Sequence, residues 1–202
     1  MAERIGEIIE SSTLQFTAGS YELHEAPAFG SVVRVQTREP DVDIYALVYD
    51  VRTVSREPGG RAVIRGVSYT GETLQNEEIY RAHPDLAEVL QTEFSAWIVG
   101  YRRGQAVHHR IPPQTAPVHY SVYACTPDEL MQFGQQFGYI GMVVQAQQLP
   151  VDELVGAVIR QIAVAHTPNE REYTVRAGRE LATLLRDDFE RLRQIVLRIR
   201  MN

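Results

Sequence analysis

At 202 residues and 44% hydrophobic content, the chain is long enough to bury a core in one domain or in two small ones. It has no run of about 18 apolar residues, which excludes a transmembrane helix, and its early charges, Glu3, Arg4 and Glu7, argue against a signal peptide. The single cysteine, Cys125, excludes an internal disulfide and favours the cytoplasm, and the net charge of -6 argues against a dedicated nucleic-acid-binding protein.

The basic residues show a bias that excludes two kinds of chemistry. The 20 Lys+Arg residues are all arginine, so the chain contains no lysine. A Walker A loop needs a lysine on the nucleotide phosphates, and a Schiff-base enzyme needs a lysine amine. We therefore expect neither chemistry, and we predict that the protein uses no cofactor.

The first 120 residues show the alternation of apolar and polar residues that is typical of β-strands. Residues 57–60 (EPGG) and Arg103-Gly104 have turn chemistry, and only residues 84–90 have a helical pattern. The predicted strands cover residues 5–9, 14–18, 31–37, 44–54, 61–69, 94–102 and 105–111. Five to seven short strands with one inserted helix predict a small antiparallel β-barrel.

The pattern becomes helical after residue 120. Residues 126–129 (TPDE) form a predicted capping box with proline at the first helical position, and they open a helix that extends to about Phe137. A second helix is predicted over residues 151–165, and residues 167–170 (TPNE) open a third that runs to Met201. The sequence therefore predicts an α+β protein with a barrel domain over residues 1–120 and a helical domain over residues 121–202.

Several segments resemble a known family. Residues 4–13 (RIGEIIESST) and 29–35 (FGSVVRV) resemble the opening of the HAS barrel, the N-terminal domain of HerA-type hexameric DNA-translocating ATPases, and are also similar to the N-terminal barrel of rotary ATP synthase subunits. The resemblance continues at residues 96–101 (AWIVGY) and 110–113 (RIPP). In such motors a P-loop core would follow Ile140-Gly141, but this chain has no such motif. The resemblance therefore implies a ring-assembly barrel without its motor.

Two pairs of side chains could be interpreted as metal ligands. His108 and His109 are adjacent on a predicted strand, so their side chains point to opposite faces and cannot chelate one ion together. Asp41 and Asp43 could share a face and hold Mg²⁺, but a pair after Pro40 is more often a turn that leads into a strand. We therefore predict no metal site.

Catalytic groups are equally sparse. Cys125 and His119 could form a thiol pair, but no third group orients the histidine, and a lone cysteine is usually a small buried hydrophobe. Three glycines at positions 134, 138 and 141 follow a predicted helix, whereas a phosphate-binding loop follows a strand, so we expect them to end one helix and allow a tight return. With no acid, base and nucleophile to combine, we predict that the protein is not an enzyme.

Two surfaces are candidates for interaction. The hairpin with Arg102, Arg103, His108, His109 and Arg110 is the best candidate for contact with DNA phosphates, and a charged barrel rim is its alternative interpretation. On the last helix, five apolar residues are spaced as a heptad seam that could join protomers: Leu185, Phe189, Leu192, Val196 and Ile199. This seam could equally pack on the barrel or on the 154–162 helix, although Leu184, Ile195 and Leu197 make the helix apolar on more than one side.

Two functions are therefore compatible with the sequence. The first is a non-enzymatic assembly or adaptor protein, which forms a homo-oligomer or docks onto a partner ATPase or nuclease of a DNA-processing complex. The second is a nucleic-acid-binding accessory protein that uses the Arg102–Arg110 hairpin. We favour the first, because the chain is acidic overall.

Overall fold

The computed structural model describes residues 3–67 and 70–200, and all structural statements below concern these residues. Seven strands are present in it: β1 (Arg4–Ser11), β2 (Gln15–Ser20), β3 (Val32–Gln36), β4 (Val42–Ser55), β5 (Leu90–Arg103), β6 (Ala106–His108) and β7 (Ser121–Ala124). The helices are α1 (Glu77–Ala82), α2 (Leu86–Val89), α3 (Pro127–Phe133), α4 (Gly138–Val144), α5 (Val151–Ala165), α6 (Glu170–Leu184) and α7 (Phe189–Arg200).

The strands form a closed antiparallel barrel. Their order is β2-β1-β7-β3-β4-β5-β6, and an additional pairing of β2 with β5 closes the circle, so that six strands form the wall and β6 extends it. Closure removes the free edges that an open sheet would expose. The predicted fold class, an antiparallel barrel followed by a helical region, is therefore confirmed.

The barrel wall is buried on both of its faces. Because successive side chains on a strand point to opposite faces, Ile44, Ala46 and Val48 of β4 fill the barrel, whereas Tyr45 and Leu47 point outward. The outward residues join one apolar cluster with the buried side chains of α3 to α7. The barrel and the helices therefore share a core.

Close backbone approaches attach the helices to the barrel. Gly30 has φ +84°, and a Cβ there would lie 2.4 Å from the Cβ of Ala157 on α5, so glycine is required both by conformation and by space. The side-chain amide oxygen of Gln161, on the same helix, accepts a 2.9 Å hydrogen bond from the backbone N–H of Val32. Helix α5 is therefore attached to the chain at the point where β3 begins.

Helix α5 is the centre of the helical region. It contacts α3, α4, α6 and α7, and it buries eight of its fifteen residues. Beside it, the hydroxyl groups of Tyr139 on α4 and Tyr173 on α6 form a buried 2.8 Å hydrogen bond. Burial raises the pKa of both hydroxyls, that of Tyr173 to about 12, so both stay neutral. None of the helices described has the length and apolarity needed to cross a membrane.

The predicted strand over residues 61–69 is wrong where the structure describes it. Val63 and Ile64 lie in a loop, and Val67 forms only an isolated bridge with Thr73. All three valine and isoleucine side chains are exposed, and Ser68 and Tyr69 lie outside the described residues. The reason is that β4 pairs with β5 up to its last residue, Ser55, so the chain between them is excluded from the sheet. The EPGG segment forms a turn, with a hydrogen bond from Gly60 N–H to the Glu57 carbonyl, but it does not join two strands. The helix predicted over residues 84–90 is the shorter α2, and α1 precedes it.

The barrel also extends beyond residue 120, the predicted domain boundary. Ser121–Ala124 forms β7, which pairs with β1 on one side and with β3 on the other. The predicted capping box follows at once: Thr126 Oγ1 accepts from Glu129 N–H, and the Glu129 carboxylate accepts from Thr126 N–H. The helix that it opens ends at Phe133, and a separate helix, α4, follows.

The long helix predicted over residues 170–201 is two helices. Helix α6 ends at Leu184, and α7 begins at Phe189 after Asp188, whose carboxylate accepts from Arg191 N–H at 3.1 Å and so caps α7. The box predicted at Thr167 does not form either, because the Thr167 hydroxyl donates to the Glu170 carboxylate while Asn169 precedes the helix.

Candidate functional site

The hairpin of β5 and β6 forms as predicted, but two of its three arginines are engaged with carboxylates. The Arg102 guanidinium forms an ion pair with the buried carboxylate of Asp43 on β4. The Arg103 guanidinium lies 3.1 Å from a carboxylate oxygen of Glu39. These contacts neutralise much of the positive charge that the sequence places on this hairpin.

The remaining predicted contact residues turn to different sides of the hairpin. The Arg110 guanidinium donates to the Tyr101 hydroxyl at 2.9 and 3.2 Å, and the His108 ring lies 5.0 Å from the Tyr101 ring. His109 instead faces inward, where its Nε2 donates to the Phe133 carbonyl at 3.1 Å. Of the five hairpin residues considered for contact with nucleic acid, Arg103 and Arg110 are exposed, whereas Arg102, His108 and His109 are partly covered.

Asp43 belongs to a buried ionic network that joins the barrel to the helices. Its carboxylate pairs with Arg34 at 3.3 Å and with Arg102, and Arg34 also pairs with Glu129 of α3 at 2.9 Å. Tyr45 lies beside this network, and burial raises the pKa of its hydroxyl. Arg34 was not predicted as a site residue, although a charged residue inside the apolar strand VVRVQ indicates a buried ion pair.

Asp41 and Asp43, the possible Mg²⁺ ligands, lie in different surroundings, because only Asp43 belongs to this network. Asp41 is exposed in a turn with φ 60°, and its carbonyl accepts from Gly104 N–H, whereas Asp43 is buried between two arginines. Within residues 3–67 and 70–200, no group of three or more His, Cys, Asp or Glu side chains is placed to hold a metal ion.

Cys125 and His119 lie in different surroundings. Burial raises the pKa of the Cys125 thiol, and its side chain packs against the core that the barrel and helices share. The His119 ring is largely exposed, and its Nδ1 lies 2.8 Å from the Glu7 carboxylate. The three glycines occupy the α3–α4 connection: Gly134 ends α3, Gly138 begins α4 and Gly141 lies within α4.

The five residues of the proposed heptad seam do not share one face, because the turn at residues 185–188 interrupts the helix. Leu185 and Ile199 are buried within the chain, and Leu192 packs against the shared core. Val196 is half-buried, and Phe189 is 74% exposed. Helix α7 packs on α5, as the alternative interpretation of the seam expected, and Phe189 alone of the five remains fully available to a partner.

Comparison with known protein families agrees with this architecture. The HAS barrel domain matches residues 5–104, which span β1 to the turn between β5 and β6. No curated protein matches the chain. Residues 5–104 of this chain therefore belong to a HAS barrel domain, and β7, which follows the matched segment, completes the closed barrel.

Proposed function

We propose that this protein is a non-enzymatic assembly or adaptor protein of the cytoplasm, which forms homo-oligomers, docks onto a partner ATPase or nuclease of a DNA-processing complex, or does both. The HAS barrel supports the proposal, because the resemblance links such barrels to ring-forming ATPases. The absence of lysine from the chain supports the non-enzymatic part, because a P-loop motor requires that residue.

The observation that carries the proposal is the position of Phe189 at the start of α7. Its side chain is 74% exposed, although Ile195 and Ile199 fix the same helix firmly against α5. Leu184 and Leu197 are also exposed. A large aromatic side chain that is exposed to solvent on a well-packed helix lowers solubility. Such residues are enriched at protein interfaces. We assign the exposed Phe189 side chain to contact with a second copy of the chain.

Light scattering of the wild type and of two α7 variants tests this assignment. Phe189→Glu places a charge on the exposed face, and Gln194→Glu adds the same charge at an exposed polar position of the same helix. We expect an oligomeric wild type, a Phe189→Glu variant of lower mass with unchanged circular dichroism, and a Gln194→Glu variant that keeps the wild-type mass. A monomeric wild type, or a Phe189→Glu variant with unchanged mass, would contradict the proposal.

A further inference from the structure

A groove on the helical region combines apolar side chains with arginines. One hollow of about 470 Å³ lies between α5, α6 and the end of α7, and a second of about 560 Å³ adjoins it and shares Arg171 and Val175. Val164 and Val175 line the groove and are exposed, and Ala163 and Ile199 form part of its floor. We call these two hollows together the arginine groove.

The charge of the arginine groove is opposite to that of the chain as a whole. Two carboxylates, Glu170 and Glu172, face it, and Glu170 is bound by the Thr167 hydroxyl. The arginines that line it are Arg160, Arg171, Arg176, Arg179 and Arg200. The net excess of three positive charges contrasts with the net charge of -6 for the whole chain. The groove therefore favours an acidic occupant with apolar side chains.

Three of these arginines, Arg171, Arg179 and Arg200, have no polar side-chain contact within the part of the chain that the structure describes, and the first two lie together on α6. The guanidinium groups of Arg171 and Arg179 form no hydrogen bond, ion pair or ring contact there, and both side chains are exposed. By contrast, Arg176 donates to the Gln135 carbonyl and lies over the Phe137 ring. Arg171 and Arg179 are thus free to pair with carboxylates from outside the protomer.

A segment of the same chain has the complementary chemistry. Residues 72–89, which we call the acidic segment, carry five carboxylates and one arginine. They contain α1, of which no residue is buried, and the exposed side chains of Tyr80 and Val89. The preceding loop is attached to this segment through the Leu74 N–H bond to the Gly66 carbonyl, and it adds Ile64, which is 93% exposed. A six-residue helix with no buried residue lacks the packing that normally stabilises short helices.

We propose that the arginine groove of one protomer binds the acidic segment of a second copy of this chain. The proposal rests on the homo-oligomer of the proposed function and adds a second contact to it. Charge complementarity and the exposed apolar side chains on both surfaces support this occupant over an unrelated partner. Because the two surfaces differ, the contact is heterologous and repeats from protomer to protomer, which produces a ring if the rotation closes and a filament if it does not.

Charge reversal on each surface provides the test. The groove variant is Arg171→Glu/Arg179→Glu, and the segment variant is Glu77→Arg/Glu88→Arg. The side chains of Glu77 and Glu88 form no hydrogen bond or ion pair within the described ranges, so neither variant removes an internal contact that the fold needs. Circular dichroism verifies folding, and light scattering measures mass for each variant alone and for an equimolar mixture.

We expect each variant alone to have a lower mass than the wild type, and the mixture to regain mass, because each reversed surface meets an oppositely charged one. Unchanged mass in either variant, or a mixture that does not regain mass, would overturn the proposal. If Phe189→Glu dissociates the protein while both charge-reversed variants stay assembled, only this contact fails and the proposed function stands. A variant that loses mass together with its circular dichroism signal would also count against the contact, because it would show these exposed charges to be structural.

Discussion

Arg34 on β3 and Glu129 on α3 form a 2.9 Å ion pair, largely shielded from solvent, that joins the barrel to the helical region. Glu129 also completes the capping box of α3, and Arg34 also pairs with Asp43 in the barrel wall. The first helix after the barrel is therefore positioned by a charge on the outer face of the barrel wall, since the neighbours Val33 and Val35 line the interior. Since the outward face of that wall also contributes Tyr45 and Leu47 to the helical core, the two halves are expected to unfold together.

Replacing Arg34 tests this coupling. We expect Arg34→Met to lower the free energy of unfolding by about 3 kcal/mol, the lower end of the cost of leaving buried charges without a partner, because Asp43 and Glu129 each keep one other contact. Arg103→Met removes an arginine from an exposed pair with Glu39 and should cost less than about 1 kcal/mol. Urea unfolding at pH 7 measures both changes, and equal losses in the two variants would show that the network does not couple the halves.

The barrel could be predicted from the sequence, because alternation and turn chemistry are local signals. The core that the barrel and the helices share could not be predicted in the same way, since it depends on which face of the barrel wall the helices cover. One signal was nevertheless present: the run IYALV in β4 is apolar without interruption, and a strand of this kind is usually buried on both faces. Conversely, the run RAVIR at residues 61–65 looks like a strand locally but finds no partner, because β5 already pairs with the whole end of β4.

Truncation tests the role of β7. A fragment of residues 1–120 lacks the strand between β1 and β3, so its barrel cannot close. It also exposes the outer face that includes Val32 and Val99, which the helices cover in the full chain. We expect this fragment to show no cooperative thermal transition by circular dichroism, whereas the full chain does. A fragment that melts cooperatively near the temperature of the full chain would restore residue 120 as a domain boundary.

Acidification should destabilise the protein through His109. Burial lowers the pKa of His109, and its Nδ1 is buried without a hydrogen-bond partner within the described residues. The unfolded chain therefore gains a proton as the pH falls through the ordinary value of 6.5, while the folded chain does not, so this contribution to stability is complete above pH 6.5 and decreases below it.

The measurement for His109 is the urea midpoint at pH 7.5 and at pH 5.5. We expect the midpoint of the wild type to fall between these two values more than that of His109→Phe, which keeps a ring against Phe133 and Tyr139 but cannot titrate. His119→Gln is the control for the loss of a histidine, because the His119 ring, unlike that of His109, lies exposed at the surface beside the Glu7 carboxylate. An equal pH dependence of the wild type and His109→Phe would contradict the argument.

Purified protein should not hydrolyse ATP. The expectation follows from the absent lysine and from the positions of the three glycines: Gly134 ends α3, Gly138 begins α4 and Gly141 lies within α4, so none of them lies in a loop that follows a strand. A phosphate-release assay with Mg²⁺ should give the rate of the buffer alone. Turnover that survives further purification and is lost on a point mutation would refute the non-enzymatic part of the proposal.

The path of the last third of the chain was the hardest part to predict. The residues Leu185 to Ile199 fit a heptad as well as they fit two separate helices, and the difference depends on Asp188, whose side chain can cap a new helix wherever the old one ends. Composition alone does not decide between these outcomes. The packing of Ile195 and Ile199 on α5 decides in favour of two helices, because these residues can reach α5 only if α7 turns back along it.

The hairpin of β5 and β6 should not retain DNA. Two of its arginines pair with carboxylates, Arg102 with Asp43 and Arg103 with Glu39. Arg110 is the arginine of this hairpin that could still bind a phosphate, and its guanidinium donates to the Tyr101 hydroxyl. Phosphate contacts lose affinity steeply as salt increases, because each contact releases counterions. We therefore expect the wild type and Arg110→Ala to elute together from a double-stranded DNA column at low salt. Retention of the wild type that weakens steeply with salt and is reduced in Arg110→Ala would favour the nucleic-acid-binding function over the assembly function, because only a phosphate contact through this hairpin predicts both effects.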